Sequence, residues 1–386
     1  MLRRALAFSC VLLIPTAVQA APDPAAIDAE VRKVLDATKA NGLAIAVIDN
    51  GKVGYTQAYG IRNAKGEPLQ TDTIMYGASL TKTVFAYTVL QLADEGKLAL
   101  DTPLPDLLDK PLPDYDPEAI HPDKYGPYKD LADEPRWKQI TPRMALTHST
   151  GFANFSWLEP DQKLRIHFDP GTRYAYSGEG LILLQFAIEN GKIKQDLGDL
   201  TQANFTRLGM TRTSLKWRDD FRPNLADGWN DAGEVGEHDE RSKVRVAGSM
   251  DTTITDIARF TAALVRGDGL SLQSRAEMVK PQLKITTAHQ FPTFLPDLPA
   301  DQQRKDLNAG LGILVFDGPQ GHGFYKGGHD GQTANTMVCV EKGERCVVIL
   351  SNDVRAEAGF AELVKFVLGD TGVPYEWEYG DRAGKS

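Results

Sequence analysis

Ser79-Leu80-Thr81-Lys82 places a hydroxyl and an amine three residues apart. The turn Tyr76-Gly77-Ala78 here meets an apolar run through Phe85, Val89 and Leu92 that stops at Gly96. On a helix, residues three apart share a face. A serine hydroxyl becomes a good nucleophile when a neighbour takes its proton. A lysine in an apolar setting is pushed towards its neutral form and can take it. The N–H groups of a helix start favour developing negative charge. The chemistry implied is acyl transfer through a serine ester. The same spacing also describes a serine near a helix N-cap beside a solvated lysine. It recurs by chance about once or twice in a chain of this length, so context must decide.

Two further stretches supply context. Residues 170–180 read Pro-Gly-Thr-Arg-Tyr-Ala-Tyr-Ser-Gly-Glu-Gly, followed by an apolar helix over residues 181–188. A tyrosine in a tight loop before a helix can shuttle protons if a cation sits beside it; it can equally pack against the loop. Gly327-Gly328-His329-Asp330-Gly331-Gln332 precedes a strand over residues 336–340. Glycine there lets a backbone approach a ligand, or simply makes a turn. The histidines are scattered, nothing has metal-ligand spacing, and no cofactor is implied.

The elements that must position these residues lie mostly at the two ends. Residues 25–40 read as a helix. Residues 43–48 and 53–58 read as strands joined at Asn50-Gly51, a strong two-residue hairpin signal. Residues 310–316, 336–340 and 346–350 read as strands and 357–368 as a helix. The expected fold is α/β (α+β): an antiparallel sheet flanked by N- and C-terminal helices, with a mostly helical subdomain inserted. One catalytic domain spans residues 25–370. Its α/β part covers about 25–80 and 267–370, its helical part about 81–266, and 371–386 is a C-terminal tail.

The first twenty residues differ in kind. Arg3 and Arg4 precede an apolar run over residues 5–14, and Val18-Gln19-Ala20 closes it with small residues. This is the pattern of a secretory signal cleaved after Ala20, so the expected location is periplasmic or secreted, with no integral membrane segment after processing. The chain carries 43 Lys and Arg against 52 Asp and Glu, a net charge of −9, or −11 once Arg3 and Arg4 are removed. That balance disfavours nucleic acid and anionic membranes as partners and leaves a small-molecule or peptide-like substrate. The oligomeric state is left open. Two cysteines follow the signal, Cys339 and Cys346. A turn at Lys342-Gly343 would pair them across a hairpin within disulfide reach; two buried thiols are the alternative.

Together these motifs resemble the serine β-lactamase and penicillin-binding-protein superfamily, and most its class C β-lactamase, D,D-peptidase and esterase branch. Ile140-Thr141-Pro142 through Thr147-His148-Ser149-Thr150-Gly151 resembles I-T-x-x-x-L-L-T-H-T-S-G. Residues 170–180 resemble P-G-x-x-F-x-Y-S-N-x-G, and residues 246–260 resemble A-G-G-x-x-S-T-A-x-D-L-A-R-F. The resemblance runs from about Leu43 to Leu350. It implies Ser79 as nucleophile, Lys82 as its deprotonating partner and Tyr176 as the shared acid and base. The N–H groups of Ser79 and Gln332 would form the oxyanion hole. His148 would be structural.

The chain departs from the pattern twice. Gly178 stands where Y-x-N has an amide. His329-Asp330-Gly331 is taken to stand for K-T-G, whose Lys and Thr meet a carboxylate in the lactamases. Gly178, His329, Asp330 and Gly331 are thus the expected substrate contacts, and an ionised Asp330 would repel a carboxylate. The resulting expectation is an exported hydrolase of esters or peptide-like amides. Action on β-lactams or cell-wall peptides is the alternative, and a non-catalytic binding protein on the same fold a further one.

Overall fold

The computed structural model describes residues 21–380. The expected signal segment, 1–20, and the last six residues lie outside them. The chain opens with helix α1 (Pro24–Thr38), hairpin strands β1 (Gly42–Asp49) and β2 (Lys52–Gly60), and helix α2 (Thr81–Asp94). Helices α3 (Gly178–Asn190) and α4 (Ile254–Arg266) follow. Strands β3 (Leu283–Lys284), β4 (Leu307–Ala309), β5 (Leu314–Gly318), β6 (Gly321–His329), β7 (Ala334–Val340) and β8 (Arg345–Ser351) complete the sheet. Helices α5 (Phe360–Leu368) and α6 (Tyr375–Tyr379) close the described chain.

Local chemistry explains the opening elements. Asp23 caps α1 by accepting from the Ala26 N–H at 3.1 Å, and Pro24 sits where no N–H is needed. Asn50 and Gly51 have φ of 48° and 67°, the left-handed values that a two-residue hairpin turn with matching twist requires.

The sheet is antiparallel, ordered β2-β1-β8-β7-β6-β5-β4-β3, so the two ends of the chain meet at β1 and β8. Alternation divides the core. Leu43, Ile45, Val47, Val347 and Ile349 pack with Ile27, Val31 and Val34 of α1 and Leu363 and Val364 of α5. Ala44, Ala46, Ile48, Val348 and Leu350 face the opposite cluster, which holds α2 and α4. Central strands buried on both faces lose the polar alternation of half-exposed ones.

Cys339 and Cys346 are directly opposed on β7 and β8 and form a disulfide, with Cα atoms 4.1 Å apart.

Three boundaries need correction. Helix α4, counted within the helical stretch 81–266, lays its apolar face over β1, β2 and β8 and belongs to the α/β layer. Residues 321–329, whose four glycines mask a strand pattern, form β6 in the middle of the sheet. The described part of the tail is no appendage: Tyr375 and Trp377 are buried and α6 packs beside β6. Among the described residues, no helix is long and apolar enough to cross a membrane.

Candidate active site

Ser79 lies on a single 3-10 turn, Ala78–Leu80, that leads directly into α2. Ala78, just before it, has φ of 44°, a costly value for alanine that the surrounding contacts enforce. The turn is held from two sides. The Gly77 N–H donates to Met250 O at 2.8 Å, and the Asn335 amide donates to Tyr76 O at 3.0 Å.

Two donors converge on the Ser79 hydroxyl: the Tyr176 hydroxyl at 2.7 Å and the Lys82 ammonium at 3.0 Å. Lys82 also donates to the Ala247 carbonyl at 2.5 Å, and its nitrogen lies 4.9 Å from the Tyr176 ring centroid. Burial displaces the Lys82 amine below its usual value, and the nearby Lys326 adds to the displacement. Ser79, Lys82 and Tyr176 are thus brought together as the sequence suggested. They line a cavity of about 970 Å³ with Phe155, Phe291 and Lys326.

Tyr176 is fixed by its neighbours. The Ser177 N–H donates to His148 Nδ1 at 3.1 Å, and the imidazole stacks on the Tyr176 ring. Burial holds His148 well below the usual imidazole range, so its ring is neutral. Ser177 caps α3 by accepting from the Gly180 N–H at 3.0 Å. At Gly178 a Cβ would lie 2.5 Å from the Phe155 ring, so the aromatic fills the place of a side chain. The Gly178 N–H donates to Asn154 Oδ1 at 2.9 Å, and Asn154 lines the cavity. An amide is therefore present beside Tyr176, delivered from another loop.

The third motif needs correcting by three residues. Gly328 lies against the Ser79 turn: a Cβ there would stand 3.2 Å from the Ser79 nitrogen. Lys326-Gly327-Gly328 therefore occupies the place expected for His329-Asp330-Gly331. Lys326 is buried, its nitrogen 5.1 Å from the Tyr176 ring centroid. Burial lowers its amine to about 8. His329 ends β6 at the cavity edge, with Nδ1 2.9 Å from Glu357 Oε1.

Beyond it the chain turns away from Ser79. The Asp330 carboxylate accepts from the Gln332 and Thr333 N–H groups at 2.8 and 2.7 Å. Asp330 thus organises a turn at the cavity rim, and Gly331 is exposed on it. The expected oxyanion donor, the Gln332 N–H, is already used by Asp330. The Gln332 side chain packs beside Gly228 and Gly236, outside the cavity. The strand alternation directs the His329 N–H to the same edge as the Gly327 N–H, away from β7. Lys326 was legible as Lys-x-Gly three residues earlier. Among the described residues, no group of His, Cys, Asp and Glu is arranged to hold a metal.

An antiparallel sheet with a serine, a lysine and a tyrosine meeting beside one of its inner strands defines a class of serine hydrolases. The Beta-lactamase family matches residues 27–368, and the chain belongs to it. It is similar to the lovastatin esterase of Penicillium rubens, 25% identical over 65% of this chain and 70% of that one. It is also similar to a Dichelobacter nodosus protein described as a probable fimbrial assembly protein, FimD, at 24% identity, where the match spans 63% of this chain but only 62% of that protein. Esterase EstB of Burkholderia gladioli is 36% identical over 24% of each chain. Among solved structures, the D-alanine carboxypeptidase AmpC of Burkholderia cenocepacia superposes with a TM-score of 0.67 at 16% identity, covering 90% of this chain and 99% of that one. At that identity the likeness is one of fold.

Proposed function

We propose that the protein is an acyl-enzyme hydrolase of esters, with peptide-like amides as the slower class. The observation that carries this is the convergence of Tyr176 and Lys82 on the Ser79 hydroxyl at hydrogen-bond distance. In this reading the Lys82–Tyr176 pair takes the Ser79 proton as Oγ attacks the substrate carbonyl carbon. The oxyanion is met by the Ser79 and His329 N–H groups. Collapse expels the leaving alkoxide, which receives the proton through Tyr176. Water then attacks the acyl carbon, its proton passing to the same pair, and Ser79 is restored. Two similar proteins named as esterases support ester substrates. The basic-then-apolar start and the disulfide support export to an oxidising compartment.

A second reading, action on carboxylate-bearing substrates such as cell-wall peptides or β-lactams, is favoured by one observation: a buried cation, Lys326, in the cavity. One experiment separates the readings. The purified protein is offered a fluorophosphonate, short-chain para-nitrophenyl esters and a chromogenic cephalosporin. Labelling and ester turnover, both abolished by Ser79→Ala, are expected. Fast cephalosporin turnover with negligible ester turnover would reverse the order. Neither labelling nor turnover by a folded protein would leave only a binding role.

A further inference from the structure

Helix α6 brings a second charged group to Lys326. Glu378 is buried, 8% exposed, and lines the cavity with Lys326 and Tyr379. Its Oε1 accepts the Gly327 N–H at 3.1 Å. Its Oε2 is buried without a hydrogen-bond partner. Lys326 donates to the Gly327 carbonyl at 2.9 Å, so one glycine carries the cation on its C=O and the carboxylate on its N–H. Only glycine fits between them: a Cβ at 327 would lie 2.2 Å from Glu378 Oε1 and 2.3 Å from the Tyr379 hydroxyl.

A cation in a cavity ordinarily invites an anionic group of the ligand. Here the protein's own C-terminal helix supplies that anion. We propose that Glu378 holds the anion position beside Lys326, so that the site accepts esters uncharged at that position and rejects those with a carboxylate there. This rests on the ester-hydrolase reading above and narrows its substrate class. A second carboxylate would meet the buried Glu378, with Glu357 also on the cavity wall, where like charges repel. One part of the wall offers contact to an apolar group instead. Phe291 is 46% exposed there, and Phe155 lines the wall, stacked on Trp157. Burial, opposed by Lys326, raises the Glu378 carboxyl to about 7, so it carries full charge only above neutrality.

The test uses the full chain and two substrates with the same glutaryl chain: para-nitrophenyl methyl glutarate, which is neutral, and para-nitrophenyl hydrogen glutarate, which is anionic. Each kcat/KM is corrected for the substrate's spontaneous hydrolysis and measured above the Glu378 value. The wild-type protein is expected to prefer the neutral ester by about 100-fold or more. Glu378→Gln, which keeps an oxygen for the Gly327 N–H, is expected to cut that ratio at least tenfold, about 1.4 kcal/mol. A merely structural role would slow both esters alike and leave the ratio unchanged; that result, in a folded variant, overturns the proposal. If the variant does not fold, the wild-type ratio decides alone: a value near one overturns the proposal. Failure of the ester-hydrolase reading looks different, because neither ester is then turned over in a Ser79-dependent way.

Discussion

The His148 imidazole lies stacked on the Tyr176 phenol, with ring centroids 4.6 Å apart and 29° between the planes. His148 touches neither Ser79 nor Lys82 through a hydrogen bond among the described residues. Its Nδ1 is committed to the Ser177 backbone, and its backbone φ is 54°. In the proposed mechanism it acts as a positioning residue, holding the Tyr176 ring in place. His148→Ala is expected to lower kcat by roughly 10–100-fold with little change in KM, since a misplaced catalytic group costs rate on that order. Because the ring is neutral throughout, the pH profile should keep its shape. A profile that loses a limb near the imidazole range would show that His148 takes part in proton transfer.

Lys82 and Tyr176 can be tested directly. Lys82→Ala and Tyr176→Phe are each expected to reduce turnover by roughly 10²–10⁴-fold, the usual worth of a positioned acid or base. Circular dichroism and unfolding midpoints should confirm that the fold persists. The deprotonating role requires neutral Lys82, and burial displaces that amine downward. Wild-type kcat/KM should therefore rise with pH and level off below the ordinary lysine value. Rates within twofold of wild type in either variant would remove these two residues from the mechanism.

Gly178 and Asn154 form a linked pair. The Phe155 ring occupies the space a side chain at 178 would need, while Asn154 Oδ1 accepts the Gly178 N–H. That bond fixes the orientation of an amide that lines the cavity. Asn154→Ala is expected to lower kcat/KM for esters by roughly 3–10-fold, the loss of one hydrogen bond. Gly178→Asn should cost more, because its side chain must displace the ring. If Gly178→Asn is as active as wild type, Phe155 is more mobile than its packing implies.

How much of this was legible in the sequence follows from what each signal depended on. The β1–β2 hairpin and the pairing of Cys339 with Cys346 rest on local turn chemistry, and both appear in the structure. Ser79, Lys82 and Tyr176 carried distinctive local patterns and meet in space. Strand β6 did not announce itself, because Gly321, Gly323, Gly327 and Gly328 erase the hydrophobic alternation on which strand reading depends. Without that strand, the register of the third motif slipped three residues and the charge argument fell on Asp330 rather than Lys326. Glu378 and Asn154 reach the cavity only through tertiary packing. No spacing along the chain relates Glu378 to Gly327, 51 residues away.

The disulfide joins neighbouring strands near a tight turn. It closes a loop spanning a separation of only 7 residues, and chain-entropy reasoning assigns such a loop about 2–3 kcal/mol. Replacing both cysteines with serine adds two buried hydroxyls, so alanine is the cleaner variant. Cys339→Ala with Cys346→Ala is expected to lower stability by about that amount in denaturant unfolding while ester turnover at 25 °C persists. An equal midpoint for the oxidised wild type and the double variant would show that the paired strands alone already supply the constraint.

The Lys326 and Glu378 pair makes a signed prediction about stability and pH. Burial raises the Glu378 carboxyl from 4.5 to about 7, so the folded state holds a proton there that the unfolded chain has lost. Its contribution is present below the unfolded value and declines as pH rises from about 4.5 to about 7. Burial lowers the Lys326 amine from 10.5 to about 8, so the cost of its charge is greatest below 8 and is relieved as pH rises towards 10.5. The groups facing the pair are Lys82 and Tyr176 on the Lys326 side, Glu357 and His329 at the cavity wall, Tyr174 and Tyr325 packed behind, and Tyr375 and Tyr379 of α6. Glu378→Gln removes the first of these dependences and, by taking away the carboxylate that holds the Lys326 amine up, displaces that amine further down. Unfolding free energies across pH 5–7 should therefore fall less steeply in the variant than in wild type. Parallel curves through that window would mean that Glu378 is ionised in the fold at all of those pH values, held there by Lys326.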